Sequence, residues 1–273
     1  MNAPEKLPLP DAQSQPDGRE LPIDRVGVKG LRYPLSLRTS AGEIQHTVGE
    51  LAMDVALAHD TKGAHMSRFL EVLERRRAPL DLAALRELHR DMLKRLGAKG
   101  GRIELRFPYF IRKTAPASGV ESLLDYDVRF LVENAADGVV RLEVGLTVPV
   151  TSLCPSSKSI ADYGAHNQRS HITIRAEIAG EIALEELARA AEEEASAEIY
   201  GLLKRTDEKL VTERAYDHPK FVEDLVRDVA LRLRLDPRIG PFSVAAENFE
   251  SIHNHSAYAE ITGIGAAGDR SVR

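Results

Sequence analysis

Val140-Arg141-Leu142-Glu143-Val144-Gly145-Leu146-Thr147-Val148-Pro149-Val150 carries an apolar residue at every second position without a miss. A period of two marks a strand with one buried face. Just upstream, Asp137-Gly138 is a hairpin-turn dipeptide. Before it, Leu124, Tyr126, Val128, Phe130 and Val132 alternate in the same way. Two antiparallel strands therefore meet back to back in mid-chain. Read outward in both directions, the chain shows one order of elements twice.

Toward the amino terminus, residues 25–38 and 43–57 predict a hairpin around the Thr39-Ser40-Ala41-Gly42 turn. Met66, Phe69, Leu70 and Leu73 form a helical stripe with Ser67 near its start, and Pro79 ends that pattern. Asp81 is placed to cap a second helix lined by Leu85, Leu88, Met92 and Leu96, with Gly97 at its C′ position. Strands at 101–114 and 123–134 complete ββααββ. Toward the carboxyl terminus, residues 170–178 predict a strand. Leu184, Leu187, Ala188, Ala191, Ala195, Ile199 and Leu202 predict one helical face, with Lys204 and Arg205 complementing the dipole at its end. Asp217 is a candidate cap for a helix striped by Phe221, Val222, Leu225, Val226, Val229 and Leu233, and strands near 242–250 and 257–264 close the chain. The expected fold class is α+β: two tandem ββααββ modules, antiparallel sheet with helix pairs packed on one face. The other sheet face needs water, a lumen or other subunits as cover. Residues 1–22, with five of the 14 prolines, read as an extended or disordered arm. The modules are expected at 23–137 and 138–273, the second carrying most of the candidate site.

The chain has 273 residues, 43% hydrophobic and 29% charged, which excludes a wholly disordered chain, a collagen-like fibre and a disulfide-dense scaffold. No apolar run approaches the roughly 20 residues of a membrane span, and the amino terminus has no apolar signal region. A cytoplasmic protein is expected. A net charge of −5 argues against bulk attraction to nucleic acid or a membrane, while leaving room for a small basic pocket. The single cysteine, Cys154, forbids an intrachain disulfide and, within one chain, any zinc site built on two or more cysteines.

Cys154 follows the clean strand in Thr151-Ser152-Leu153-Cys154-Pro155-Ser156-Ser157-Lys158. A lone cysteine is most often a small buried hydrophobe. This one stands where a strand ends among polar residues, and a nearby Lys158 favours thiolate. The polar run Gly164-Ala165-His166-Asn167-Gln168-Arg169-Ser170-His171 leads into the next strand, and a long hairpin loop can bring His166 to Cys154; both are metal-ligand types. In Glu247-Asn248-Phe249-Glu250-Ser251-Ile252-His253-Asn254-His255, an extended backbone puts His253 and His255 on one face as a metal or acid–base pair; a polar loop is the plain alternative. Glu208 reads as a solvated helix end. Glu223 lies about 120° from the centre of its helix's apolar stripe, at about 100° per residue, as an ordinary surface glutamate does. Lys62-Gly63-Ala64-His65-Met66-Ser67-Arg68 puts three cationic side-chain types around a helix start, suited to a phosphate or to simple capping. No Walker A loop, GxSxG or HExxH occurs in the sequence, and no GxGxxG opens a βαβ unit, so the common nucleotide and hydrolase signatures are absent.

Asp24-Arg25-Val26-Gly27-Val28-Lys29-Gly30-Leu31-Arg32-Tyr33-Pro34 and the segments 62–69, 151–158, 164–170 and 248–255 together resemble GTP cyclohydrolase of type IB, in order from about residue 11 to residue 264. Two departures stand out: Ala64 where Thr is expected, and Ser156 where many members have a second Cys. The resemblance implies a tunnelling fold of two ββααββ modules and a homotetramer with active sites at subunit interfaces. It implies GTP as substrate, converted with water to 7,8-dihydroneopterin triphosphate and formate, the first step toward folate pterins. It also implies a divalent metal (Mn, Fe or Zn) and no organic cofactor. By the same resemblance the metal-binding and catalytic positions fall on Cys154, His166 and Glu208, with Glu250, His253 and His255 nearby, and the guanine-anchoring glutamate on Glu223. Lys29, Arg32, Lys62, His65 and Arg68 are the candidate triphosphate cations. Two other functions compete: another tunnelling-fold enzyme acting on a pterin or deazapurine, and a non-catalytic protein binding a metal or purine nucleotide.

Overall fold

A computed structural model describes residues 11–76, 78–134 and 138–268. The first module runs β1 (Ile23–Arg38), β2 (Ile44–Leu57), α1 (Met66–Glu74), α2 (Leu82–Leu96), β3 (Gly101–Thr114) and β4 (Glu121–Asn134). The second half runs β5 (Val140–Leu153), α3 (Pro155–Ile160), β6 (Asn167–Ile178), α4 (Leu184–Glu192), β7 (Ala197–Glu198), α5 (Arg205–Asp217), α6 (Val222–Leu235), β8 (Ile239–Asn248) and β9 (Ala257–Ile264). All the strands join one antiparallel sheet in the order β1-β2-β3-β4-β5-β6-β8-β9, with the two-residue β7 paired to β5.

Mid-chain pairing from Asp127↔Thr147 to Asn134↔Val140 joins the two halves. The predicted Asp137-Gly138 turn falls partly outside the described residues, because Asp137 is not among them; Gly138 has the positive φ (80°) that such a turn requires. Val144, Val148 and Val150 are fully buried, as are Ile172 and Ile174 on the neighbouring strand. Each such side chain contributes about 1.5–3 kcal/mol of apolar burial. The α1–α2 pair covers the first half of the sheet and α4–α6 the second, all on one face, forming one continuous apolar cluster.

The opposite face is charged. Glu104 sits among Arg102, Arg106 and Arg129. Burial alone would raise its carboxyl, but hydrogen bonds from Arg129 (2.9 Å) and Arg106 (2.7 Å) outweigh burial and lower its pKa to about 2. Among the described residues no helix is long and apolar enough to cross a membrane.

The predicted caps of α2 are present: Asp81 Oδ1 accepts from Ala84 N at 2.8 Å, and Gly97 takes φ 67° at the carboxyl end. Three expectations need correction. The helix predicted over about 184–202 stops at Glu192. Glu192 and Ala195 are buried there, and Ala197–Glu198 is drawn off as β7 against Val150–Thr151, so Lys204 caps α5 instead of ending α4. Asp217 closes α5, and α6 is capped at Phe221, whose N–H donates to Asp224 Oδ2 at 2.9 Å. Third, the described part of the arm is held down. Asp17 N donates to Asp60 O, Lys62 N to Gln15 O, and Asp11 meets His65 Nε2 at 3.0 Å. Residues 1–10 of the arm lie outside the described residues.

Candidate functional site

At the end of β5 the chain turns through α3 and returns as β6, and a backbone bond from Cys154 N to His166 O (3.1 Å) clamps the two ends together. Pro155 occupies the first position of α3, where its missing N–H costs nothing, and Cys154 Sγ accepts from Ser157 N at 3.4 Å. Ser157 Oγ donates to Cys154 O and accepts from His166 N, closing the loop on itself. Lys158 does not serve the thiol as expected. Its ammonium donates to the Tyr216 carbonyl and lies 4.2 Å from the centre of that ring.

The start of α6 comes to the same place because Lys220 N donates to Leu153 O at 3.0 Å, which brings Glu223 on the first helical turn alongside Cys154. The end of β8 is tied to β6 by Phe249 N donating to Arg169 O, and it carries Glu250 to 3.7 Å from His166 Nδ1. Residues 251–255 form a bend instead of an extended strand, yet the His253 and His255 rings still share a side, stacked with centroids 5.1 Å apart. Cys154, His166, Glu223, Glu250, His253 and His255 thus line one cavity of about 300 Å³.

Behind His166 lies a buried polar row. Its Nδ1 is 3.0 Å from Gln168 Oε1; Gln168 Nε2 donates to Ser152 Oγ at 2.8 Å, and Ser152 Oγ is 2.7 Å from Ser170 Oγ. Gln168 and Asn248 both line the cavity, and Asn248 Oδ1 is a buried acceptor with no protein partner. Lys220 lines it too, its ammonium 2.6 Å from Asp228. Sequence reasoning missed these three. For Gln168 a signal existed: His166, Gln168 and Ser170 are spaced by two and so share one face of β6. For Lys220 and Asn248 none did, since only the bond from Lys220 N to Leu153 O and the pairing of β8 with β6 bring them to the site.

The remaining sequence candidates lie elsewhere in the chain. Glu208 is exposed on the first turn of α5, outside the cavity. Its neighbour Asp207 is buried and accepts from Ala117 N, Ser118 N, Ser118 Oγ and Lys204 N at 2.6–2.8 Å. Lys29 and Arg32 are exposed on β1, at the far edge of the sheet, and Lys62, His65 and Arg68 surround the start of α1. Lys62 Nζ rests on Gln15 Oε1 and His65 on Asp11. The donor chemistry in the cavity (one thiol, imidazoles, carboxylates) fits a divalent metal of borderline softness. Among the described residues no three His, Cys, Asp or Glu side chains stand together as a metal-holding group.

Residues 9–259 match the family model described as Type I GTP cyclohydrolase folE2. The chain is 62% identical to GTP cyclohydrolase FolE2 1 of Dechloromonas aromatica over 263 residues, covering 96% of this chain and 99% of that one. It is 64% identical to GTP cyclohydrolase FolE2 2 of Cupriavidus metallidurans over 253 residues, 93% and 94% of the two chains. Among solved structures it superposes on a highly active BTUO mutant with a TM-score of 0.52 at 8% identity, over 89% of this chain and all of that one. Urate oxidase from Bacillus sp. TB-90 superposes at 0.50, also with 8% identity, over 89% of this chain and all of that one. At that identity the likeness shows a shared fold and nothing about activity.

Proposed function

The chain belongs to the type I GTP cyclohydrolase FolE2 family, and on that premise we propose that the cavity between β5, β6, α6 and β8 is where it opens the purine of GTP. The protein is a GTP cyclohydrolase of folate biosynthesis on a tunnelling fold. The overall reaction is GTP plus water to 7,8-dihydroneopterin triphosphate and formate. One observation carries the assignment of the site. Six side chains of the chemistry this reaction needs, from four separate parts of the chain, converge on a single cavity.

Glu223 binds the guanine edge: its carboxylate accepts from N1–H and the exocyclic amine together. Adenine has neither the N1–H nor an amine at C2 and leaves the acceptors unmatched, which is the stronger kind of discrimination. Cys154 and His166 would hold a divalent metal, with Glu250 of the same cavity as the further carboxylate, or with Glu208 if a neighbouring protomer supplies it. When bound, such a metal makes hydroxide available near neutral pH for attack at C8. His253 and His255 move protons at the purine nitrogens as the five-membered ring opens and formate leaves. Mn, Fe and Zn are all compatible with this donor set.

The working form we propose is a homotetramer with its sites between protomers. Its sheet has open edges at β1 and β9, and Ile160, Tyr163 and Ile252 are 66–97% exposed near the cavity. Lys29, Arg32, Lys62, His65 and Arg68 then reach the triphosphate in a neighbouring protomer's site. The test is GTP turnover by metal-stripped protein with and without Mn²⁺, Fe²⁺ or Zn²⁺, followed through the fluorescent pterin product. Metal-restored turnover that is lost in Cys154→Ala and in Glu223→Gln is expected. Undiminished turnover in either variant removes that residue from the site, and sedimentation of a monomer at working concentration overturns the tetramer.

A further inference from the structure

We propose that Gln168 is a positioning residue that holds the His166 ring in the tautomer with its proton on Nδ1, so that Nε2 keeps its lone pair for a metal. The inference rests on the reading of His166 as a ligand. It begins from His166 Nδ1, which has Gln168 Oε1 at 3.0 Å and Glu250 Oε2 at 3.7 Å. A ring nitrogen facing two oxygen acceptors carries the hydrogen, and the other nitrogen is then the acceptor.

Gln168 is itself fixed. Its amide nitrogen donates to Ser152 Oγ, whose own hydroxyl meets Ser170 Oγ, and Gln168, Ser152 and Ser170 are 7%, 0% and 0% exposed. Turning the amide over would put its N–H₂ against an Nδ1 that also faces Glu250. The three residues come from β5 and β6, which are paired from Glu143↔Glu177 to Leu153↔Asn167, so the row sits on a rigid ladder instead of a loop. A His ligand whose second nitrogen is held this way is pre-oriented, and loss of such a partner typically costs about 10–100-fold in metal affinity.

The test uses Gln168→Leu, Gln168→Glu and His166→Ala in the full-length protein. Zn²⁺ affinity is read by competition with a chromophoric chelator. The His166 tautomer is read by nitrogen–proton correlation NMR of the metal-free protein at about pH 8, above the ordinary histidine pKa of about 6.5. Wild type is expected to show the Nδ1–H form. Gln168→Leu should shift His166 toward Nε2–H and weaken Zn²⁺ by about 10–100-fold. Gln168→Glu still offers an oxygen to Nδ1 and should restore both readings, which a loss of packing alone would not do. An unchanged tautomer in Gln168→Leu overturns the proposal and passes the role to Glu250. Unchanged Zn²⁺ affinity in His166→Ala refutes the ligand reading instead, whatever Gln168 does. A Gln168→Leu protein that does not fold leaves the wild-type tautomer as the deciding measurement, and an Nε2–H ring there also overturns the proposal.

Discussion

Replacing Lys113 with Met should destabilise the protein where β3 meets the end of α4 and β7. Lys113 Nζ stands 2.6 Å from Glu192 Oε2 and 2.6 Å from Glu198 Oε2, with side-chain exposures of 9%, 6% and 25% in that order. At an effective dielectric of about 20, unit charges at that distance attract by about 6 kcal/mol, most of it offset by the desolvation of the pair. Removing the cation alone leaves the desolvation cost without its offset. Glu198 keeps Arg214 at 3.7 Å, but Glu192 keeps only the Tyr126 hydroxyl at 2.5 Å. The expected loss is about 3–5 kcal/mol at neutral pH. Burial already raises the Glu192 pKa in the intact protein, against the pull of Lys113, and without Lys113 it rises further. A carboxyl whose folded pKa is raised stabilises below its unfolded value and loses that stability as pH climbs through the folded one. The deficit of Lys113→Met should therefore be largest above neutrality and shrink toward pH about 5, near the ordinary carboxyl range.

Urea unfolding at both pH values, followed by circular dichroism, measures this deficit, and adding Glu192→Gln should recover part of the loss at neutral pH. A deficit under about 1 kcal/mol, as for an exposed pair, or one that does not change with pH, would refute the reasoning. Activity should fall along with stability. Glu198 lies in β7, which pairs with Val150–Thr151, and Ser196 Oγ accepts from Leu153 N directly before Cys154.

Three further outcomes are expected. The hydrogen bonds to Asp207 outweigh the burial that would raise its carboxyl and hold its pKa well below the usual range, so its stabilisation is present above the unfolded value of about 4 and is lost as acid approaches the folded one. Asp207→Asn should flatten the acid limb of a pH-unfolding curve and lower activity through α5, and an unchanged limb would count against it. Glu104 behaves alike over the window from its ordinary value near 4.5 down to about 2, and Glu104→Gln should remove that part of the acid dependence. Finally, a Cβ on Gly27 would sit 1.9 Å from Met53 O, so Gly27→Ala must push β1 off β2 and should cost about 1–3 kcal/mol or more in urea unfolding. Gly30→Ala meets open space and only the strain of φ 70°, about 1–2 kcal/mol, and equal losses for the two would show that the close approach at Gly27 does not matter.

Much of the fold is visible in the primary structure because strand and helix periodicities are local. Val140, Leu142, Val144, Leu146, Val148 and Val150 alternate in the sequence, and all but the exposed Val140 at the strand's start are buried on one face of β5. The overextended α4 shows where locality ends. Ala195 and Ile199 continue the helical spacing, but pairing of Ala197–Glu198 with β5 and the burial of Glu192 against Lys113 outcompete one more turn. In the site, Cys154 and His166 were readable from a strand end and a polar loop. His253 and His255 share a side through ring stacking in a bend, which no period of two could foretell.

The sequence by itself determined the order of the long strands and of α1, α2, α4 and α6, the single thiol, and through its resemblance the family and the reaction, since these depend on residue identity and on neighbours along the chain. Only the tertiary structure decided which polar residues stand behind His166. Gln168, Ser152 and Ser170 are ordinary in sequence and become a buried row because β5 and β6 pair in one register. It also decided that Glu208 and the basic residues of β1 and α1 lie apart from the cavity within the chain. A shared cavity depends on distances across strands and between helices, which chain order does not encode.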